Sequence, residues 1–229
     1  ICGIIGGSGR MSGGRYSGIA PGCNLIMVKV LDRKGNGYSS DVLAGISWVL
    51  ERKEQLGIRI LNISVGACSK RGMSENSALV KGVNRAWDAG LVVVVAAGNN
   101  GPRTMSITTP GISRKVITVG CSDDDREVLV GGNRMVDYSG RGPTAACICK
   151  PDLVAPGCSV VSCSSRADKY TIKSGTSMST PIVSGAVALL LERFPDMSNK
   201  DVKLRLRESS VDIGLPRNQQ GWGLLDVGK

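Results

Sequence analysis

Continuous apolar runs alternate with stretches of helical periodicity through the first half of the chain. Leu25–Leu31, interrupted only by Lys29, predicts a buried strand, with Asp32–Gly37 as the turn after it. Ser39 or Ser40 then caps a helix over residues 41–53, whose inner face carries Val42, Ile46, Val49 and Leu50. Gly57 leads into a second strand, Ile58–Val65, and the following helix, Ser74–Ala89, stops at Gly90. Leu91–Ala97 is the most apolar strand; Gly98-Asn99-Asn100-Gly101 closes it, and Val116–Val119 adds a fourth. Strands alternating with helices at this spacing build parallel βαβ units, in which ligands bind beyond the carboxyl ends of the strands. Asp32, Ser64 and Asn99 each follow such an end, so they are expected on one rim.

The pattern changes after Cys121. Residues 121–173 are rich in turn formers and predict short strands and loops, with Asp123-Asp124-Asp125 as a solvated turn. Beyond them, Ile182, Val183, Ala186, Val187, Leu189, Leu190 and Leu191 cover nearly every face of one helix, which predicts its burial. Pro181 fits the first turn of that helix, which ends near Pro195. Ser198-Asn199-Lys200-Asp201 caps a last helix reaching about residue 209. Residues 1–6 read as the interior of a helix or strand, so the sequence starts in mid-pattern and is expected to be part of a longer chain. Gly7-Ser8-Gly9-Arg10-Met11-Ser12 fails the dinucleotide-binding fingerprint, because Ser12 stands at its third glycine and no strand leads into it. Residues 13–22 read as a loop. No repeat or low-complexity linker divides the sequence, which predicts one domain over residues 1–229.

The apolar helix has a hydroxyl at its mouth. In Ser174-Gly175-Thr176-Ser177-Met178-Ser179-Thr180-Pro181, Ser177 falls where unpaired backbone N–H groups and the positive end of the helix dipole meet. Taken alone, Ser177 is well explained as an N-cap, and Asn99 as a turn former. Together with the strand end Asn62-Ile63-Ser64-Val65-Gly66 they suit acyl transfer. That reaction needs a nucleophile, donors aimed at an oxyanion and an extended edge that holds a peptide.

Composition bounds the chemistry. With 41% hydrophobic and 21% charged residues the chain is globular, and it has no apolar run of membrane-spanning length. Its formal charge of +10 raises nucleic acid as a partner. The basic residues are scattered, however, and aromatics are only 3%. The densest group, Lys200, Lys203, Arg205 and Arg207, reads as a solvated helix face. Neither a nucleic-acid nor a membrane partner is expected. Eight cysteines form no C-x-x-C pair, which argues against structural zinc. Several, including Cys121, Cys147 and Cys149, sit in apolar contexts that suit reduced thiols, and a cytoplasmic location follows, with secretion as the alternative. The sequence contains no histidine.

The whole pattern resembles the subtilisin-like serine proteases, and among them the intracellular-type branch. Gly175-Thr176-Ser177-Met178-Ser179-x-Pro181 is similar to the family's nucleophile motif, and Ala96-Ala97-Gly98-Asn99 to its oxyanion motif. Asn62-Ile63-Ser64-Val65-Gly66 and Gly35-Asn36-Gly37 resemble the two segments that hold an extended substrate. Ser139-Gly140-Arg141-Gly142-Pro143, Lys150-Pro151-Asp152-Leu153-x-Ala155-Pro156-Gly157 and Gly221-Trp222-Gly223 extend the likeness over nearly the whole chain. The resemblance implies a three-layer α/β/α fold around a mainly parallel sheet and a serine endopeptidase acting on peptides or proteins. Ser177 would be the nucleophile, and Asn99 with the Ser177 amide the oxyanion hole. Gly35–Gly37 and Ser64–Gly66 would bind substrate backbone. Ala96–Gly98 would wall the pocket for the residue before the scissile bond.

The departures carry equal weight. The family orders its catalytic residues Asp, His, Ser. Ile1-Cys2-Gly3-Ile4-Ile5 resembles the tail of its His motif, so the N-terminal strand with the aspartate and the start of the histidine-bearing helix would lie upstream. The resemblance makes that upstream segment a partner of this chain, which by itself would be inactive. Asp32 is a loop acid, and Lys173 is not expected to form a Ser-Lys dyad. No cofactor or catalytic metal is expected. Arg10, Arg15 and the surrounding glycines make residues 7–18 a poor calcium loop. The alternative is a non-catalytic peptide-binding module.

Overall fold

The computed structural model describes residues 1–67, 74–165 and 170–228. After a short helix α1 (Cys2–Gly6) and helix α2 (Ser39–Arg52) come strand β1 (Ile60–Ile63), helix α3 (Ala78–Asp88), strand β2 (Val92–Ala96) and strand β3 (Ile117–Cys121). The hairpin β4 (Val128–Val130) and β5 (Asn133–Met135), strand β6 (Leu153–Ala155) and the antiparallel pair β7 (Val160–Cys163) and β8 (Tyr170–Lys173) follow. Helices α4 (Thr176–Arg193), α5 (Asn199–Ser209) and α6 (Arg217–Gln220) end the order.

The central sheet is parallel throughout, in the order β1-β2-β3-β6, with Ile63 level with Val95, Ala96 with Val119, and Val119 with Leu153. Every residue of β2 and β3 is buried, because helices cover the sheet on both faces in a three-layer α/β/α arrangement. α4 crosses β1, β2, β3 and β6, while α3 and α5 pack on β2 and α2 packs on α3. No helix among the described residues is long and apolar enough to cross a membrane.

Several expectations are corrected. Leu25–Leu31 is not a strand. Leu25, Ile26 and Met27 are exposed, and no described strand pairs with this ribbon to bury it. α2 starts at Ser39, and its cap is Tyr38, whose backbone N–H donates to the Asp41 carboxylate. α3 starts at Ala78 on a Ser77 cap; residues 68–73, with Cys68, lie outside the described chain. Pro181 is sixth in α4, beyond the first turn, so the Ser177 carbonyl lacks the N–H that a helix would normally bring to it.

Asp123-Asp124-Asp125 is not simply a solvated turn. Asp123 accepts backbone N–H bonds from Gly157 (2.7 Å) and Cys158 (3.1 Å), and buried Asp124 accepts one from Ser139 (2.7 Å). These carboxylates take up donors that the loops around β3 and β6 leave unpaired, and burial raises the pKa of Asp124. The basic face of α5 is likewise not all solvated. Lys203 donates to the carbonyls of Lys115 and Val116 and lies over the Trp87 and Trp222 rings. Cys121 is buried as expected, whereas Cys147 and Cys149 are exposed.

Candidate active site

Ser177 is the second residue of α4, and its N–H lies in the first turn, where a helix supplies no carbonyl four residues back. Gly175 enters the helix at φ 137°, ψ 160°, a conformation that disfavours any side chain, and a Cβ there would lie 3.2 Å from Asn99 Nδ2. Glycine thus lets the chain turn sharply into the helix while Asn99 approaches its backbone.

Asn99 is held by its oxygen. Oδ1 accepts from Thr176 N (2.9 Å) and from Thr176 Oγ1 (3.1 Å), and Thr176 Oγ1 accepts from Gly98 N (3.1 Å). With the oxygen committed, Asn99 retains its Nδ2 amide as a donor for a ligand. The strand end Ala96–Gly98 and the start of α4 are therefore cross-linked through Thr176, which is fully buried.

A second set of bonds ties α4 to β1. Ser177 Oγ donates to the Ser64 carbonyl (2.9 Å), Asn62 Nδ2 donates to Ser64 Oγ (3.0 Å), and Ser184 Oγ donates to Asn62 Oδ1 (2.9 Å). Ser177, Ser64, Gly98 and Asn99 are thus brought together at the carboxyl ends of β1 and β2, as the rim argument expects. Asp32 and Gly35–Gly37 are not joined to them by any hydrogen bond among the described residues. Asp32 Oδ1 accepts from Lys34 N (2.8 Å) and Asn36 N (2.9 Å), which makes it the loop acid expected and folds Gly35–Gly37 into its own turn.

Sequence reasoning missed Thr176, Asn62 and Ser184. Their spacing carries no motif beyond the run already quoted, because their partners lie far away in sequence. Lys173 lies exposed in β8, and no hydrogen bond joins it to Ser177 among the described residues. Among those residues no group of three or more His, Cys, Asp or Glu is placed to hold a metal ion. Chemically, the arrangement offers a hydroxyl and a first-turn N–H at a helix start, with the Asn99 carboxamide bonded to the adjacent Thr176 and the ends of two strands nearby.

Comparison with known proteins gives the chain's family. Residues 1–223 match the Peptidase_S8 subtilase family. Serine protease AprX of Bacillus subtilis (strain 168) is 39% identical over 225 residues, covering 91% of this chain and 51% of that protein. Subtilisin DY of Bacillus licheniformis is 34% identical over 212 residues, covering 92% and 69%. The structure of Sphericase superposes with a TM-score of 0.81 at 31% identity, covering 99% of this chain and 76% of that one. The chain thus spans about half the length of AprX. A family match over nearly all its residues, with the fold in accord, places the chain in the subtilase family of subtilisin-like serine proteases.

Proposed function

We propose that these residues form the nucleophile-bearing part of a serine endopeptidase that works through an acyl-enzyme. The observation that carries the proposal is the pair of links that bring the start of α4 to the two strand ends: Ser177 Oγ bonded to the Ser64 carbonyl after β1, and Thr176 bonded to Asn99 Oδ1 after β2. Ser177 Oγ attacks the peptide carbonyl. The Ser177 N–H and Asn99 Nδ2 stabilise the oxyanion, a contribution of about 10²–10³-fold in rate for one such donor. Ser64–Gly66 and Ala96–Gly98 flank the substrate, and Gly35–Gly37 would join them only after a change in the position of the 24–38 segment. Residues 1–229 act in this as one unit, and peptides or proteins are the substrate.

The base is the gap. With no histidine in the sequence, the Ser177 hydroxyl donates a hydrogen bond to the Ser64 carbonyl, which is too weak a base to take the proton. We infer that an upstream segment supplies the aspartate and histidine. A groove of about 750 Å³ between the 23–28 ribbon and β1, lined by Leu25, Met27, Ile60, Leu61 and Leu189, supports this reading. The outer edge of β1 has no strand beside it among the described residues, so a parallel strand seated there would complete the sheet and bury the ribbon.

The test is labelling by a fluorophosphonate. Residues 1–229 alone are expected to remain essentially unlabelled. The polypeptide carrying its upstream segment is expected to be labelled at Ser177, and Ser177→Ala to abolish the signal. A verified complex that fails to react would favour a peptide-binding module without catalysis.

A further inference from the structure

The sequence holds two Asn-Gly pairs, Asn36-Gly37 and Asn100-Gly101. At such a pair the backbone nitrogen of the glycine can attack the asparagine carboxamide. Glycine has no Cβ to hinder the approach, and the nucleophile is tethered beside its target. The fold decides whether the attack occurs. The nitrogen must swing toward the side chain, and one held elsewhere by a buried partner is restrained from doing so.

The two pairs are held differently. Gly101 N donates to the carbonyl of the fully buried Tyr138 (2.8 Å), and a Cβ on Gly101 would overlap the carbonyl oxygens of Asp137 and Ser139. Swinging this nitrogen away would break the bond and leave a buried carbonyl unpaired. In the 32–37 turn, Asp32 Oδ1 accepts from Lys34 N and Asn36 N, and Asp32 N donates to the Asn36 carbonyl (2.7 Å). These bonds brace the turn as far as the Asn36 carbonyl and stop there. In a trans peptide the N–H points opposite to the C=O, so the Gly37 N–H is directed away from Asp32. Neither that N–H nor the Asn36 carboxamide makes a hydrogen bond among the described residues, and both residues are exposed to water.

We propose that Asn36 is a site of spontaneous, backbone-assisted deamidation, and that the fold protects Asn100 from the same reaction. The Gly37 nitrogen attacks Asn36 Cγ. The new N–Cγ bond forms as the Cγ–Nδ2 bond breaks, and ammonia leaves with the proton that Gly37 gives up. Water then adds to one carbonyl of the five-membered imide. Opening at the Cγ–N bond gives aspartate. Opening at the backbone C–N bond gives isoaspartate, whose main chain runs through the former side chain and is longer by one carbon. The sum is a water consumed and an ammonia released, with no oxidant or reductant. Either product puts a second carboxylate in the turn held by Asp32, and the longer one breaks the regular spacing by which an extended edge pairs with a peptide. That consequence for Gly35–Gly37 rests on the serine endopeptidase reading; the deamidation itself does not.

The experiment incubates folded residues 1–229 in mildly alkaline buffer and follows both asparagines by peptide mapping, with isoaspartate detected by enzymatic methylation. Asn36 is expected to convert at least about tenfold faster than Asn100. In the urea-unfolded chain, where the Tyr138 bond is lost, the two rates are expected to converge. Asn36→Gln, which would have to close a larger ring, should stay unmodified over the same time. If Asn100 keeps pace with Asn36 in the folded chain, if Asn36 converts only after unfolding, or if the difference in rate persists in urea, the assignment is wrong. In the polypeptide carrying its upstream segment, the converted form is expected to show a lower kcat/KM on a peptide substrate while a fluorophosphonate still labels Ser177. An unchanged kcat/KM would remove Gly35–Gly37 from the substrate edge and leave the endopeptidase reading standing. Failure of the unconverted polypeptide to label would overturn that reading and leave the deamidation untouched.

Discussion

Two apolar runs of similar composition have opposite fates in this molecule. Val92–Ala96 is buried at every position, between β1 and β3 and beneath α4. Leu25–Val28, equally apolar, lies along the surface, with Met27 70% exposed. Propensity does not separate them; neighbours do. A strand in a parallel sheet is stable only when its backbone groups find partners on adjacent strands and both faces are covered. β2 has all of these, and the ribbon lacks a partner strand among the described residues. The contrast divides the described residues into a body whose strands pair with one another and a flank whose ribbon has no partner strand, with Ser177, Asn99 and Thr176 on the body.

The body is most sharply tested where a charge is buried in it. Lys150, 1% exposed, pairs with Asp152 and donates to the Val116 carbonyl (3.0 Å), while Asp152 accepts from Thr118 N (2.7 Å). The pair fastens the start of β6 to β3. Lys150→Ala would leave the buried Asp152 carboxylate with the Thr118 N–H and, at 3.4 Å, Lys203 as its remaining cationic partner among the described residues, and is expected to cost about 3–5 kcal/mol in urea unfolding. A loss below about 1 kcal/mol would mean that this junction is not part of the cooperative body.

The same residue sets a pH dependence. Burial is the largest influence on Lys150 and lowers its pKa from 10.5 to about 8, against the opposing pull of Asp152. Between those two values the folded chain has released this proton while the unfolded chain still holds it. The unfolded state binds more protons, so this group's contribution to stability rises with pH across that window and is flat below it. Relative to Lys150→Met, the unaltered chain should gain stability from pH 8 to 10.5 in denaturant titrations. A flat profile over that interval, with a relative loss only above pH 10.5, would show that ion pairing, and not burial, governs the group.

The body is also what could be read from the sequence, and for the same reason. β2, α4 and the capped α5 announce themselves through local periodicity and capping residues whose partners are three or four positions away. The resemblance in Gly175–Pro181 and Ala96–Asn99 points to Ser177 and Asn99, and the fold brings the two segments together. What escaped depends on distant partners. Asp123 and Asp124 look like a hydrophilic turn until the loops at Gly157 and Ser139 present N–H groups to them. Lys150 and Lys203 look like surface charge until Asp152 and the carbonyl of Val116 surround them. The ribbon was misread because an apolar run signals a capacity for burial, and burial requires a second surface.

That last distinction gives the smallest effect and the most direct test. Met27→Ser in residues 1–229 alone removes a side chain already exposed to water, so the stability change should stay within about 0.5 kcal/mol. In a polypeptide extended upstream, the strand proposed to seat against β1 would cover this side chain. The same substitution should then cost about 1.5–3 kcal/mol, the value of fully burying such a side chain. Paired urea titrations of the two forms, each with Met and with Ser at position 27, isolate the difference. If Met27→Ser is silent in both, the upstream segment does not seat on this ribbon and the groove beside β1 has another occupant. If it is equally costly in both, the ribbon is already buried in the chain alone, and the division into a paired body and an unpaired flank fails.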